Sequence, residues 1–198
     1  MKKILILLSD GFETYEAAAF IDVLGWANTF GSEKIEIVTA GLHAKLKCTF
    51  GFQAIPDSQI NELNLGEFDA LAIPGGFEKA GFYEDAYSEE FLKTIKFFQQ
   101  NKKNIASICV GALPLGKSGI LINRTATTYR LLEGKRRKQL AEMGAKVMDK
   151  YIVVDENIIT SSSPATAIDV AFLLLEKLTS KDNAEKIRKM MGFENKGT

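Results

Sequence analysis

Short, continuous apolar runs alternate along the chain with stretches whose apolar residues recur every three or four positions. Lys3 to Leu8 is the first such run and predicts a buried strand, which Asp10-Gly11 ends. A helical period follows from Thr14 to Phe30, with Ala18, Ile21, Leu24 and Trp26 among its apolar positions. Gly31 fits its C-terminal cap. Lys34 to Ala40 predicts a second strand, and Leu46 to Ile55 predicts short strand pieces. Ala70 to Ile73 is another buried strand, closed by Pro74-Gly75-Gly76. A polar loop leads to a helix over Glu89 to Gln100, with Phe91, Ile95 and Phe98 on one face.

Asn104 to Ile108 is again a short apolar strand, and Val110 to Lys117 reads as helix. Ala126 to Thr128 predicts a short extended piece, and Leu131 to Met143 a helix. Tyr151 to Val154 and Ile158 to Thr160 flank Asp155-Glu156-Asn157 as a hairpin. Ser163-Pro164 starts a helix to Leu178, and a last helix runs from Asp182 to Met191.

This alternation predicts one α/β domain over residues 1–198, with a mostly parallel sheet covered on both faces. Ligand sites in such sheets lie at the carboxyl ends of the strands. The breaks at Asp10-Gly11, Pro74-Gly75-Gly76 and Cys109-Val110-Gly111 all fall there, which predicts one shared crevice.

Charge narrows the function. Lys+Arg and Asp+Glu both number 25, so there is no basic excess for nucleic-acid binding. The run Lys135-Arg136-Arg137-Lys138 lies inside a helical pattern and predicts a solvated helix face. The apolar run after Lys2-Lys3 is too short for a signal peptide, and no segment has the length of a membrane span. A cytoplasmic protein is expected, with Cys48 and Cys109 as thiols rather than a disulfide. One histidine and two cysteines without close spacing predict no metal site, and no cofactor is expected.

Cys109 is the first candidate for chemistry. It ends a strand and begins a helix, as the residue of a nucleophile elbow does, although Ser107 stands where that motif has its first glycine. A helix N-terminus there would favour a thiolate; a small buried hydrophobe is the competing reading. Gly75 and Gly76 let backbone N–H groups approach a ligand or oxyanion, or simply form a tight turn. Glu13 and Glu16 open the first helix, and either, turned toward Cys109, is a candidate acid/base. His43 reads as a loop surface residue and Cys48 as structural.

Four stretches together resemble the ThiJ/PfpI family of the class I glutamine-amidotransferase-like superfamily, which includes a Parkinsonism-associated deglycase. They are Ile4 to Glu16 (ILILLSDGFETYE), Phe68 to Gly76 (FDALAIPGG), Ile105 to Gly111 (IASICVG) and Ile159 to Pro164 (ITSSSP). The resemblance implies a flavodoxin-like three-layer sandwich and a homodimer. It also implies a nucleophilic or oxidisable Cys109, Glu16 as its acidic partner, and an oxyanion site from the Gly76 and Val110 N–H groups. Tyr129 stands where the deglycase-like branch has a histidine, which argues against a Cys-His protease; a tyrosine is a poor base near neutrality.

Two functions compete. One is a cysteine-dependent enzyme acting on a small electrophilic substrate, of glyoxalase, deglycase, hydratase or amidase type. The other is a non-catalytic thiol redox sensor or stress-response protein. A DNA-binding regulator ranks last, because such relatives carry an added domain.

Overall fold

The computed structural model describes residues 1–193. The chain opens with β1 (Lys2–Leu7), α1 (Thr14–Phe30) and β2 (Ile35–Gly41). A small antiparallel hairpin of β3 (Leu46–Lys47) and β4 (Gln53–Ala54) follows, then β5 (Ser58–Gln59) and β6 (Ala70–Ile73). Next come α2 (Phe82–Ala86), α3 (Glu89–Gln100), β7 (Asn104–Ser107), α4 (Ala112–Lys117) and β8 (Thr125–Ala126). The chain continues through α5 (Lys135–Glu142), β9 (Lys146–Val147), β10 (Ile152–Asp155), β11 (Ile158–Ser161), α6 (Ala167–Leu178) and α7 (Lys181–Met190).

Seven strands form the central sheet in the order β10-β11-β7-β6-β1-β2-β5, and every pairing is parallel except β10 with β11. Helices α1, α6 and α7 pack together as one layer, while α3, α4 and α5 form the other. With both faces covered, β6 is buried along its whole length, and so are Ile4 to Leu7 of β1. That double burial is why these strands read as continuous apolar runs rather than alternating ones. The chain leaves β1 toward β2 on one side and later returns to β6 on the other. The carboxyl ends of β1 and β6 therefore form a switch point, where such folds place their ligands.

Several expectations shift in detail. Ile21 and Trp26 lie on the outer side of α1, and Trp26 packs against Phe30 at 5.3 Å between ring centroids. Leu24 is buried as expected, on the side of the helix that carries Glu16, Phe20, Val23 and Ala27. The predicted helix at 131–143 starts at Lys135, because Leu132, Glu133 and Gly134 all take left-handed φ values. The helix expected from Val110 is a 3-10 turn over Cys109–Gly111 followed by only six α-helical residues. The supposed polar loop after Gly76 contains α2, and β5 and β9 are short strands without a sequence signal.

Candidate active site

The three glycine-marked breaks do converge. A Phe12–Gly76 bridge ties the β1–α1 loop to the β6 loop, closed by Glu13 N–H to the Gly75 carbonyl and Phe77 N–H to the Gly11 carbonyl. This pattern leaves the Gly76 N–H outside the ladder. A Cβ on Gly75 would stand 3.0 Å from Glu16 Oε2, the Ile108 carbonyl oxygen and the Val110 nitrogen alike. One on Gly111 would stand 2.7 Å from the Ile73 carbonyl oxygen. Glycine is thus required where the β6 and β7 turns cross, since even a methyl group would push the segments apart.

Cys109 has φ +55, the left-handed region that non-glycine residues avoid. Its backbone is held there by neighbours: Gly111 N–H donates to the Ile108 carbonyl and the Thr128 hydroxyl donates to the Cys109 carbonyl at 2.9 Å. The residue is 6 % exposed and the Val110 N–H is directed at its sulfur.

Glu16 faces that sulfur from α1. It is fully buried, and its Oε2 accepts the Gly75 N–H at 2.6 Å. Its Oε1 has no hydrogen-bond partner among the described residues. Burial raises the Glu16 carboxyl to about 8, and Glu13 adds to the rise, against the lowering effect of the Gly75 N–H. Burial also pushes the Cys109 thiol well up, reinforced by charge on Glu16 and opposed by the Val110 N–H. Two anions cannot share this pocket cheaply. The pair therefore carries at most one negative charge near neutrality. A proton on Oε1, the oxygen not occupied by Gly75, has the sulfur as its neighbour. Against the expectation of a thiol lowered by a helix terminus, burial and then the Glu16 charge raise it, and the Val110 N–H offsets only part of the rise.

Glu13 sits at the N-cap of α1, half-buried, and burial raises its carboxyl. Tyr129 packs half-buried against the core, one residue after the Thr128 that holds the elbow. His43 lies elsewhere, with Nε2 3.0 Å from Asp85 Oδ1. Cys48 is buried, as a structural cysteine would be.

Two residues were missed in the sequence. The Tyr83 hydroxyl is buried without a partner among the described residues, and Arg136 lies 4.9 Å from its ring. Burial raises the Tyr83 phenol, with a smaller contribution from Cys109. Arg136 is only 15 % exposed and donates to Glu78 at 2.7 Å, so it is not part of a solvated face. Its spacing of four from the buried Leu140 was the available signal.

The doubly covered parallel sheet and the cysteine on a strained strand-to-helix turn define a flavodoxin-like fold of the class I glutamine-amidotransferase-like type. The chain belongs to the DJ-1/PfpI family, whose model matches residues 2–177. Protein DJ-1alpha of Drosophila melanogaster is 31% identical, over 96% of this chain and 83% of that protein. A Caenorhabditis elegans protein named glutathione-independent glyoxalase DJR-1.2 is 28% identical over 95% of each. The crystal structure of Drosophila melanogaster DJ-1beta superposes with a TM-score of 0.84 at 27% identity, covering 96% of this chain and 97% of that one. No helix among the described residues is long and apolar enough to cross a membrane.

Proposed function

We propose that this protein is a cysteine-dependent enzyme acting on small electrophilic carbonyl compounds, with Cys109 as nucleophile and Glu16 as proton shuttle. The observation that carries the reading is the buried Glu16 carboxyl, held by Gly75 with its second oxygen unpartnered beside the Cys109 thiol. A 2-oxoaldehyde fits this chemistry without any co-reactant but water. Ionised Glu16 takes the thiol proton as the sulfur adds to the aldehyde carbon and passes it to the new alkoxide, giving a hemithioacetal. The Glu16 carboxylate then takes the proton from that carbon and returns it to the neighbouring one, leaving a thioester. Water hydrolyses the thioester to a 2-hydroxy acid and restores the thiol. The Gly76 N–H, and the Val110 N–H once the sulfur is bonded, would hold the developing oxyanion. The Tyr83 hydroxyl would bind a second substrate oxygen. The name of the Caenorhabditis elegans relative agrees with this class of substrate.

The test is turnover of a panel of 2-oxoaldehydes by purified protein. Cys109→Ser should abolish activity, and Glu16→Gln should lower it by about 10² to 10⁴-fold. Wild-type activity should rise with pH through about 8, where Glu16 loses its proton and can accept the thiol's. Tyr83→Phe should raise KM more than it lowers kcat. Full activity in Cys109→Ser would overturn the reading. The homodimer belongs to the same proposal: Tyr15, Phe30, Phe50, Phe52 and Phe77 leave large apolar surfaces exposed. Sedimentation velocity of the pure protein tests it.

A second reading draws on the same carboxyl. A proton on Oε1 can donate to an oxidised sulfur, and Toxoplasma gondii DJ-1, a relative of similar fold, has been solved in an oxidized form. If Cys109 is a sensor, mild peroxide should oxidise it ahead of Cys48, as read by mass spectrometry.

A further inference from the structure

We propose that Asp10, His43 and Asp85 form a binding site for a divalent first-row transition cation, separate from the Cys109 pocket. Three segments meet there: the end of β1, the loop after β2, and α2. One candidate ligand atom from each residue lies within 4.8 Å of the others. His43 Nε2 and Asp85 Oδ1 are 3.0 Å apart. Metal bonds of about 2.1 Å put neighbouring ligands roughly 3 Å apart in an octahedron and about 3.4 Å apart in a tetrahedron. The observed pair already matches such an edge, and the Asp10 carboxylate lies within 4.8 Å of both.

The carboxylates are oriented independently of any ion. Lys47 N–H donates to Asp10 Oδ1 at 2.8 Å, and Asp10 N–H donates to Asp85 Oδ2 at 2.8 Å. Backbone donors that fix ligand carboxylates in this way are the usual outer shell of a metal site. A protonated imidazole balances one of the two carboxylate charges, whereas a dication on a neutral imidazole balances both. The imidazole selects for zinc-like over magnesium-like ions. His43 is 52 % exposed at its side chain, so water can complete the coordination. The sequence hides the site because its members are 42 and 75 residues apart.

Titration of the full chain with Zn2+ alone, followed by calorimetry, should give one saturable site. Co2+ should give a weak ligand-field spectrum with no thiolate charge-transfer band, which separates this site from Cys48 and Cys109. His43→Ala, a change at a half-exposed side chain, should weaken Zn2+ binding by about tenfold or more. Zn2+ should raise the Tm of wild type and not of His43→Ala. The proposal is overturned by equal binding in His43→Ala, by a thiolate–cobalt band, by a Mg2+ response equal to that of Zn2+, or by no saturable binding.

Discussion

Two buried carboxyl groups near the end of β1 meet opposite surroundings. Glu16 and Asp85 are 0 % and 6 % exposed, and each accepts one backbone N–H, from Gly75 and from Asp10. The difference is the second oxygen. In Asp85 it meets the His43 imidazole; in Glu16 it meets no N–H or O–H donor, and its neighbours are the Cys109 thiol and Glu13. Burial alone therefore does not decide what a carboxyl does. A group with a donor on each oxygen is fixed in place, and one whose second oxygen faces potential anions keeps a proton it can give away.

The largest expected effect separates the two by pH. The Glu16 carboxyl rises from 4.5 to about 8 in the folded protein. Between these values the folded state binds more protons than the unfolded one, so stability falls as pH rises, by at most about 1.4 kcal/mol per pH unit. Glu16→Gln removes the titration and should flatten this decline. By pH 8.5 the variant should exceed wild type by on the order of 4 kcal/mol, less any share carried by Cys109. Denaturant midpoints measured from pH 5 to 9 check this; parallel curves would mean Glu16 is an ordinary carboxylate.

Asp85→Ala should do the reverse and destabilise, by about 2–3 kcal/mol. It leaves the part-buried Asp10 N–H without its acceptor, and an unpaired donor shielded from water costs more than the bond was worth. Asp85→Asn keeps an acceptor for Asp10 and should lose less, in the same urea titration. Gly75→Ala comes next, at about 1–3 kcal/mol. Its methyl would meet Glu16 Oε2, Ile108 and Val110 together at 3.0 Å. Because it shifts Glu16, it should also alter the pH at which Cys109 alkylates, which a purely structural glycine would not do.

The same contrast marks what could be read from the sequence. Strands β6 and β7 and most of β1 are legible because burial on both faces leaves an uninterrupted apolar run. The elbow is legible because Cys109 lies between such a run and a helical period. Position alone made Glu16 a candidate only beside Glu13, and the family resemblance singled it out, yet its register was visible too: positions 16, 20, 23 and 27 form one stripe, and Glu16 is its single charged member. Trp26 misled because size suggests burial, while its place on the helix turns it outward. The start of α5 was illegible, since nothing in Leu132-Glu133 announces positive φ. Asp10, His43 and Asp85 carry no common period at all and are neighbours only through the sheet topology.

His43→Ala carries the smallest expected effect and the sharpest comparison with Asp85→Ala. Both remove the same 3.0 Å contact, one from its exposed side and one from its buried side. With His43 gone, water can reach Asp85 Oδ1 where the half-exposed ring stood, so the carboxylate is not left dry. The loss should stay within about 1 kcal/mol, the range of solvent-screened pairs. Asp85 meanwhile keeps its bond to the Asp10 N–H, so the turn after β1 holds its shape. Urea unfolding in metal-free buffer measures the loss, and Cys109 alkylation should be unchanged. A loss equal to that of Asp85→Ala would mean that the imidazole, not the carboxylate, holds this corner of the fold together.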